Sequence, residues 1–160
     1  MAAYIKFDGV DGEAQDKDHK NWSDVASFSQ GLTQPGGGST GPTRRRGDVI
    51  VEDIHVNKEL DKASPKIAEA VCLGRVFPTV NIDLTASYTD TGRVTYYAYE
   101  LKNVLVTSYS ISGSGQSEDV PMEDFTLNFE EIKCTYTEND AKGKSKGNVE
   151  YSWKVEEGEA

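Results

Sequence analysis

The sequence has few of the residues from which catalytic and metal sites are usually built. It contains two histidines, His19 and His55, and two cysteines, Cys72 and Cys134. Neither pair is grouped with further ligands at metal-binding spacing, and two cysteines do not make a disulfide scaffold. No nucleophile elbow and no Gly-x-x-x-x-Gly-Lys motif occur. We therefore predict no catalytic residues, no metal site, no cofactor and a protein that is not an enzyme.

Long apolar runs are also absent. No stretch approaches the ~18 consecutive apolar residues of a membrane-spanning helix. The first residues lack the basic region followed by an apolar region that marks a signal peptide. We expect no membrane insertion and no cleavable signal peptide, so that export would require a dedicated machine.

Positive charge is scarce. Lys and Arg number 17 against 27 Asp and Glu, which gives a formal net charge of -10. This balance weighs against nucleic-acid binding, because contact with phosphates requires clustered basic residues. The one basic cluster, Arg44-Arg45-Arg46, ends a Gly- and Pro-rich stretch, residues 35–47, which we expect to be a flexible loop without regular structure. Such a loop could reach the acidic surface of a neighbouring copy of the chain.

Apolar and polar residues alternate through most of the chain. In Val80–Tyr88 five apolar side chains point one way and four polar ones the other, as in a strand with one buried face. We expect bends near Lys102-Asn103 and a bulge near Glu130-Glu131, where the alternation changes phase. The same pattern predicts these further strands: 4–8, 22–33, 48–58, 76–88, 93–111, 125–136 and 149–155.

One segment has helical spacing. Ser64 is the expected N-cap, Pro65 occupies the first helical position, and Gly74 provides the C-terminal stop of a helix over about 64–74. Long strands with a single helix leave sheet edges that must be covered, closed or paired. Head-to-tail pairing of identical subunits gives a ring when the rotation closes.

Several sequence blocks follow one another along nearly the whole chain. They are Tyr4-Ile5-Lys6-Phe7-Asp8-Gly9-Val10-Asp11-Gly12-Glu13 with Asp16, Asp18 and His19; Lys58-Glu59-Leu60-Asp61-Lys62-Ala63-Ser64-Pro65 with Ala70, Cys72 and Gly74; Leu101-Lys102-Asn103-Val104-Leu105-Val106-Thr107-Ser108; Phe125-Thr126-Leu127-Asn128-Phe129; and Tyr151-Ser152-Trp153. In this order they resemble the Hcp family (haemolysin-coregulated protein), the tube protein of type VI secretion.

The resemblance implies a mainly β protein, a single tube domain over residues 1–160. Its fold would be a compact β-barrel of two antiparallel sheets with one short flanking helix. It further implies hexameric rings that stack into a hollow tube inside a contractile sheath, with a spike and secreted effectors as partners. The protein would lie in the bacterial cytoplasm before firing and then reach the exterior or a target cell. No catalysis and no cofactor are implied.

The resemblance also implies roles for particular residues. The long loop would contact the adjacent ring through Gly36, Gly37, Gly38, Arg44, Arg45 and Arg46. Polar strand residues Ser27, Ser29 and Asn81 are candidates for the lumen wall. Two alternatives stay open: a phage-like tail tube protein, and a monomeric β-sandwich or barrel that binds carbohydrate through exposed Tyr97 and Tyr99.

Overall fold

The computed structural model describes residues 1–37, 45–46 and 49–155, and for residues 36, 37, 45 and 46 the backbone alone. Over these ranges the chain forms one helix and thirteen strands. The helix is α1 (Ser64–Leu73). The strands are β1 (Ala2–Phe7), β2 (Ser23–Val25), β3 (Ser27–Ser29), β4 (Leu32–Thr33), β5 (Gly36–Gly37), β6 (Arg45–Arg46), β7 (Ile50–Val51), β8 (Ile54–Glu59), β9 (Val76–Tyr88), β10 (Gly92–Ser112), β11 (Met122–Asn128), β12 (Glu131–Asn139) and β13 (Ser145–Lys154).

The sheet is organised around the long strand β10. One edge of β10 pairs with β9, and the other pairs first with β12 and then with β11. The order along the main path is β2-β1-β9-β10-β11-β8-β3, with β13 attached to β12, and every ladder is antiparallel. The expected mainly β, antiparallel fold with one short helix is confirmed.

The barrel expected from the resemblance is not closed by hydrogen bonds. The two ends of the path, β2 and β3, are separated by Ala26 alone, whose N–H donates to the carbonyl of Asn57 (2.9 Å). The prediction of a single strand over 22–33 is therefore wrong. This segment forms three short strands, because β2 pairs with β1, whereas β3 pairs with β8. The predicted strand over 48–58 is likewise divided, into β7 and β8.

The core lies inside this curved sheet and under α1. Phe7 packs against Phe77 and Phe125, with ring centroids 5.1 and 5.7 Å apart. Alternate residues of the long strands complete it, as the two-residue period predicts. The fully buried members include Ile54, Val56, Ile67, Val80, Ile82, Leu101, Val104, Leu127 and Ile132.

The predicted C-terminal stop of α1 at Gly74 is confirmed, and the predicted N-cap at Ser64 is wrong. Gly74 adopts a left-handed φ of 65°, its N–H donates to Val71, and the N–H of Arg75 donates to Ala70. This pattern is a Schellman motif. Ser64 is not the N-cap; it is the first helical residue, and its hydroxyl contacts Asp61 and Glu123 instead. No helix in the described part of the chain is long and apolar enough to cross a bilayer.

The predicted irregularities mark changes of strand partner. Asn103 has a positive φ of 52° at the point where β10 leaves β12 and joins β11. The phase change near Glu130-Glu131 is a break between β11 and β12, so the predicted bulge in one continuous strand is wrong. β12 and β11 pair one after the other with the same edge of β10.

The segment predicted to be an irregular loop carries regular pairing at its ends. β4 pairs with β7, and further along Gly36 pairs with Arg46 and Gly37 with Arg45. The expectation that residues 35–47 contain no regular element is therefore wrong. Glycine lowers the stability of a strand. The pairing of β4 with β7 already holds the two segments close together, so the further loss of chain entropy on pairing β5 with β6 is small.

Candidate self-assembly surface

The β12–β13 hairpin continues the core face of the sheet beyond the core. Its cross-strand rows with β10 run Leu101–Ile132–Trp153, then Tyr99–Cys134–Tyr151, then Tyr97–Tyr136–Val149. Burial decreases along this face: Ile132 is fully buried, whereas Tyr136, Tyr151 and Val149 are 46%, 42% and 75% exposed. We call Tyr136, Val149 and Tyr151 the outer apolar face.

The hairpin also ends the sheet. Among the ladders of the described residues, β13 pairs with β12 and with no other strand. Its second edge therefore presents backbone groups over ten residues, beside an apolar face. An edge of this length is a template for pairing with another chain unless something covers it.

The opposite face of the hairpin is charged. Lys133 lies 3.6 Å from Glu150, and Lys102 lies 3.6 Å from Glu100. These exposed ion pairs contribute little to stability, but they identify this face as the solvent side. The apolar residues of β12 and β13 thus share the other side, as their two-residue period predicts.

Tyr97 and Tyr99 are not the exposed sugar-stacking pair that the carbohydrate alternative requires. Tyr99 is only 8% exposed, and its ring meets that of Tyr97 edge-on at a centroid distance of 5.1 Å. Burial raises the pKa of both phenols and of the neighbouring Cys134 thiol, so all three stay neutral at physiological pH. The pair belongs to the inner part of the hairpin face.

The tip of the hairpin is held by the β9–β10 turn. The Thr91 hydroxyl donates to the carbonyl of Lys142 (3.1 Å). Gly143, with a φ of 85°, is buried against Tyr88, whose ring leaves no room for a Cβ there. The projecting hairpin is therefore fixed at its base by β10 and at its tip by this turn.

Two of the three lumen candidates lie on one polar face. The strand register aligns Ser27 with Asn57, Asp124 and Ser110, and Ser29 with His55, Thr126 and Ser108. The Ser108 and Thr126 hydroxyls are 2.6 Å apart, and His55 Nε2 lies 3.4 Å from Asp124 Oδ1. We call these two rows the hydroxyl wall.

Asn81 lies elsewhere on the sheet. It is on β9, opposite Lys6 on one side and Glu100 on the other. Its neighbours are therefore charged rather than hydroxylated. The structure brings Ser27 and Ser29 together and does not bring Asn81 to them.

The predicted inter-ring loop is described only at its ends. Gly36, Gly37, Arg45 and Arg46 form the β5–β6 ladder, whereas Gly38 and Arg44 lie outside the described residues. The ladder follows the β4–β7 pairing along the chain, and the residues between β5 and β6 lie outside the described ranges.

The charged segment before β2 contains a buried cluster that sequence reasoning missed. His19, one of the two histidines of the chain, is 3% exposed. Its Nδ1 lies 2.6 Å from Asp16 Oδ2 and its Nε2 lies 2.8 Å from Asp83 Oδ2. Asp83 is remote in sequence, so no local spacing could have revealed the contact. Across the described ranges, no three His, Cys, Asp or Glu side chains are arranged to hold a metal ion.

A second buried polar cluster lies where α1 meets the sheet. Lys58 and Glu123 are both 0% exposed, and Lys58 Nζ contacts Glu123 Oε1 at 2.5 Å and Asp61 Oδ1 at 3.0 Å. Ser64 donates to Glu123 Oε1 (3.0 Å) and Tyr109 to Glu123 Oε2 (2.6 Å). The carboxylate of Glu123 and the ammonium of Lys58 are thus bonded to neighbouring side chains of the fold.

The comparisons with known proteins agree with one another. Residues 4–136 match the family model described as type VI secretion system effector, Hcp. The chain is 34% identical to the protein hcp1 of Pseudomonas aeruginosa over 153 residues, which cover 95% of this chain and 93% of the relative. A solved structure of a type six secretion system protein superposes with a TM-score of 0.89 at 30% identity, covering 99% of this chain and 98% of that one.

A more distant structure, Hcp1 from Salmonella typhimurium, has the same fold, with a TM-score of 0.78 at 23% identity over 99% of this chain and 97% of that one. The resemblance of the sequence blocks is confirmed by the family match and by the curated relative. The chain belongs to the Hcp family of type VI secretion system proteins.

Proposed function

We propose that this chain is the structural subunit of the inner tube of a type VI secretion system. Residues 1–160 form one tube domain, six copies form a ring, and rings stack into a hollow tube. A contractile sheath propels the tube with its spike, and effectors travel in the lumen. The role requires no catalysis and no cofactor.

The observation that carries the proposal is the outer apolar face beside the open edge of β13. Tyr136, Val149 and Tyr151 are large side chains left in water. Fully burying each contributes roughly 1.5–3 kcal/mol. Contact with a second copy would bury the face and satisfy the edge together, and contact repeated around an axis gives a ring.

Stacking and cargo are assigned to two further regions. The segment that begins with β4–β7 and β5–β6 carries Arg44, Arg45 and Arg46 in its sequence, which suits contact with the acidic surface of the next ring. The hydroxyl wall around Ser27 and Ser29 suits a lumen, because most of its side chains are short and polar and hold water, and its His55 and Asp124 lie 3.4 Å apart. Asn81, which lies between Lys6 and Glu100 on the sheet, is also proposed for the lumen wall.

The compartment follows from the role. The protein is made in the bacterial cytoplasm, is loaded there into the tube, and leaves the cell by contraction of the sheath. It inserts into no membrane and binds no nucleic acid.

The test replaces Val149 with Lys and, separately, Tyr151 with Lys. Native mass spectrometry of the unmodified chain should show a sixfold multiple of 17.5 kDa, and both variants should shift toward the monomer. The matched control is Glu150→Gln, on the charged face of the same strand, which should leave the ring intact. Rings that persist in both lysine variants would show that β13 is not the interface.

A further inference from the structure

His19 connects two carboxylates from distant parts of the chain. Its Nδ1 lies 2.6 Å from Asp16 Oδ2 in its own segment, and its Nε2 lies 2.8 Å from Asp83 Oδ2 on β9. Both separations are hydrogen-bond distances, and each needs a proton between nitrogen and oxygen. A neutral imidazole carries one proton, and an ionised carboxylate only accepts. The two contacts together therefore require two protons.

The surroundings protect this arrangement from water. His19 is 3% exposed, stacked on Tyr4 at a centroid distance of 4.6 Å and an angle of 13°, and met edge-on by Trp22 at 4.8 Å. Hydrogen bonds shielded from water are stronger than exposed ones, and a buried donor or acceptor left without a partner lowers the stability of the fold more.

The charges around the cluster favour the two-proton form. Two carboxylates and an imidazole with two shared protons have a net charge of -1, and the Arg93 guanidinium from β10 balances it, with Nε 3.3 Å from Asp16 Oδ1. The other titratable groups facing the site are Tyr4 from β1 and Asp24 from β2. Burial raises the pKa of Asp83, which helps to keep the second proton in the cluster.

We propose that Asp16, His19 and Asp83 form a proton-holding clasp that fastens residues 11–22 to β9 and opens when the cluster loses a proton. Without that proton, a nitrogen lone pair faces a carboxylate oxygen at one of the two contacts. The segment then keeps the contacts of Lys6, whose Nζ donates to the carbonyl of Asn21 (3.3 Å) and pairs with Asp11 (2.7 Å). It also keeps the hydrogen bond that the Lys62 N–H donates to Glu13 Oε2 (2.9 Å).

The clasp is a property of the single subunit and does not depend on ring formation.

The test is nitrogen-15 NMR of the histidine side chains in the full chain. At pH 7.5 both ring nitrogens of His19 should carry protons, with the half-exposed His55 as the reference in the same spectrum. Asp83→Asn should leave one protonated nitrogen, because an amide cannot share a carboxylate's negative charge. Asp18→Asn, an exposed carboxylate of the same segment, is the control and should leave two.

A second readout follows the segment itself. Amide hydrogen exchange at Gly12, Ala14 and Asn21, corrected for the intrinsic pH dependence, should accelerate at least tenfold in Asp83→Asn and be unchanged in Asp18→Asn. A wild-type His19 with one ring proton beside an ionised Asp83 carboxyl, read from the carbon-13 shift of that carboxyl at pH 7.5, overturns the proposal, and this measurement needs no variant to fold. Equal exchange in the two variants overturns the claim that the cluster fastens the segment.

Discussion

Lys58 and Glu123 form an ion pair with no exposed surface, Nζ to Oε1 2.5 Å apart, although 65 residues separate them in the sequence. The pair joins β8 to β11, and through Ser64 and Tyr109 it also joins α1 and β10. The attachment of the helix to the barrel therefore depends on charges that must stay together, because a buried charge left without its partner is strongly destabilising.

The losses from removing the two members of the pair should not add. Lys58→Met and Glu123→Gln should each lower the free energy of unfolding by about 3–5 kcal/mol. The double variant should lose clearly less than the sum of the two, because neither member is left buried opposite a missing partner; Asp61 loses its contact with Lys58 in the single and the double variant alike. Urea unfolding of the three variants measures this, and additive losses would contradict it.

Gly143 should tolerate alanine less well than Gly92. Both have a positive φ, 85° and 74°, so both substitutions carry the left-handed penalty of about 1–2 kcal/mol. At Gly143 the new Cβ would also lie 2.7 Å from Tyr88 Cγ and overlap the Thr91 hydroxyl, whereas nothing lies within 4 Å at Gly92. Gly143→Ala should therefore lower the urea midpoint further, and equal losses would show that the hairpin tip is not held by the β9–β10 turn.

Three tyrosines should make the fold sensitive to alkali. Burial raises the pKa of Tyr99, Tyr109 and Tyr151, and at Tyr109 the bond to Glu123 raises it further. A phenol in an unfolded chain ionises near pH 10. The stability these groups contribute is thus complete below pH 10 and lost as the pH rises above it. Urea midpoints at pH 8–11 should fall steeply above pH 10, with a shallower fall in Tyr109→Phe; a flat profile would contradict this.

The three arginines should matter for stacking more than for ring formation. Replacing Arg44, Arg45 and Arg46 with Ser should shorten or abolish stacks at low salt while rings persist, because surface charges guide registration between rings. The control replaces Lys142 and Lys144 in the β12–β13 turn and Lys146 at the start of β13 with Ser, which changes the net charge equally. Electron micrographs would count stacked and single rings, and equal stacking by both triple variants would remove the role of the arginines.

The sequence predicted well what depends on neighbours in the chain. β9 spans Val76–Tyr88 as its alternation indicates, and α1 ends where Gly74 stops it. The candidate stacking hairpin was located by its arginines and glycines, although its end pairing was not foreseen. The final strand was predicted to be amphipathic, and it is, but alternation cannot tell whether its own chain covers the apolar face.

What the sequence did not predict depends on distant partners. The Ser64 hydroxyl is drawn to Asp61 and Glu123 and so does not cap the helix. His19 is buried because Asp83 reaches it from β9, and the strand over 22–33 is broken because β1 and β8 divide it. Apart from Asp61, the partners in these contacts lie far from each other along the chain, so their contacts leave no spacing signal.

The most direct test of the tube proposal is cryo-electron microscopy of the purified protein at high concentration. We expect end-on rings of six subunits with open centres, in which the outer apolar face of β13 lies at each subunit boundary and the hydroxyl wall faces the opening. Isolated single subunits at every concentration, with Tyr136, Val149 and Tyr151 still in solvent, would contradict the account.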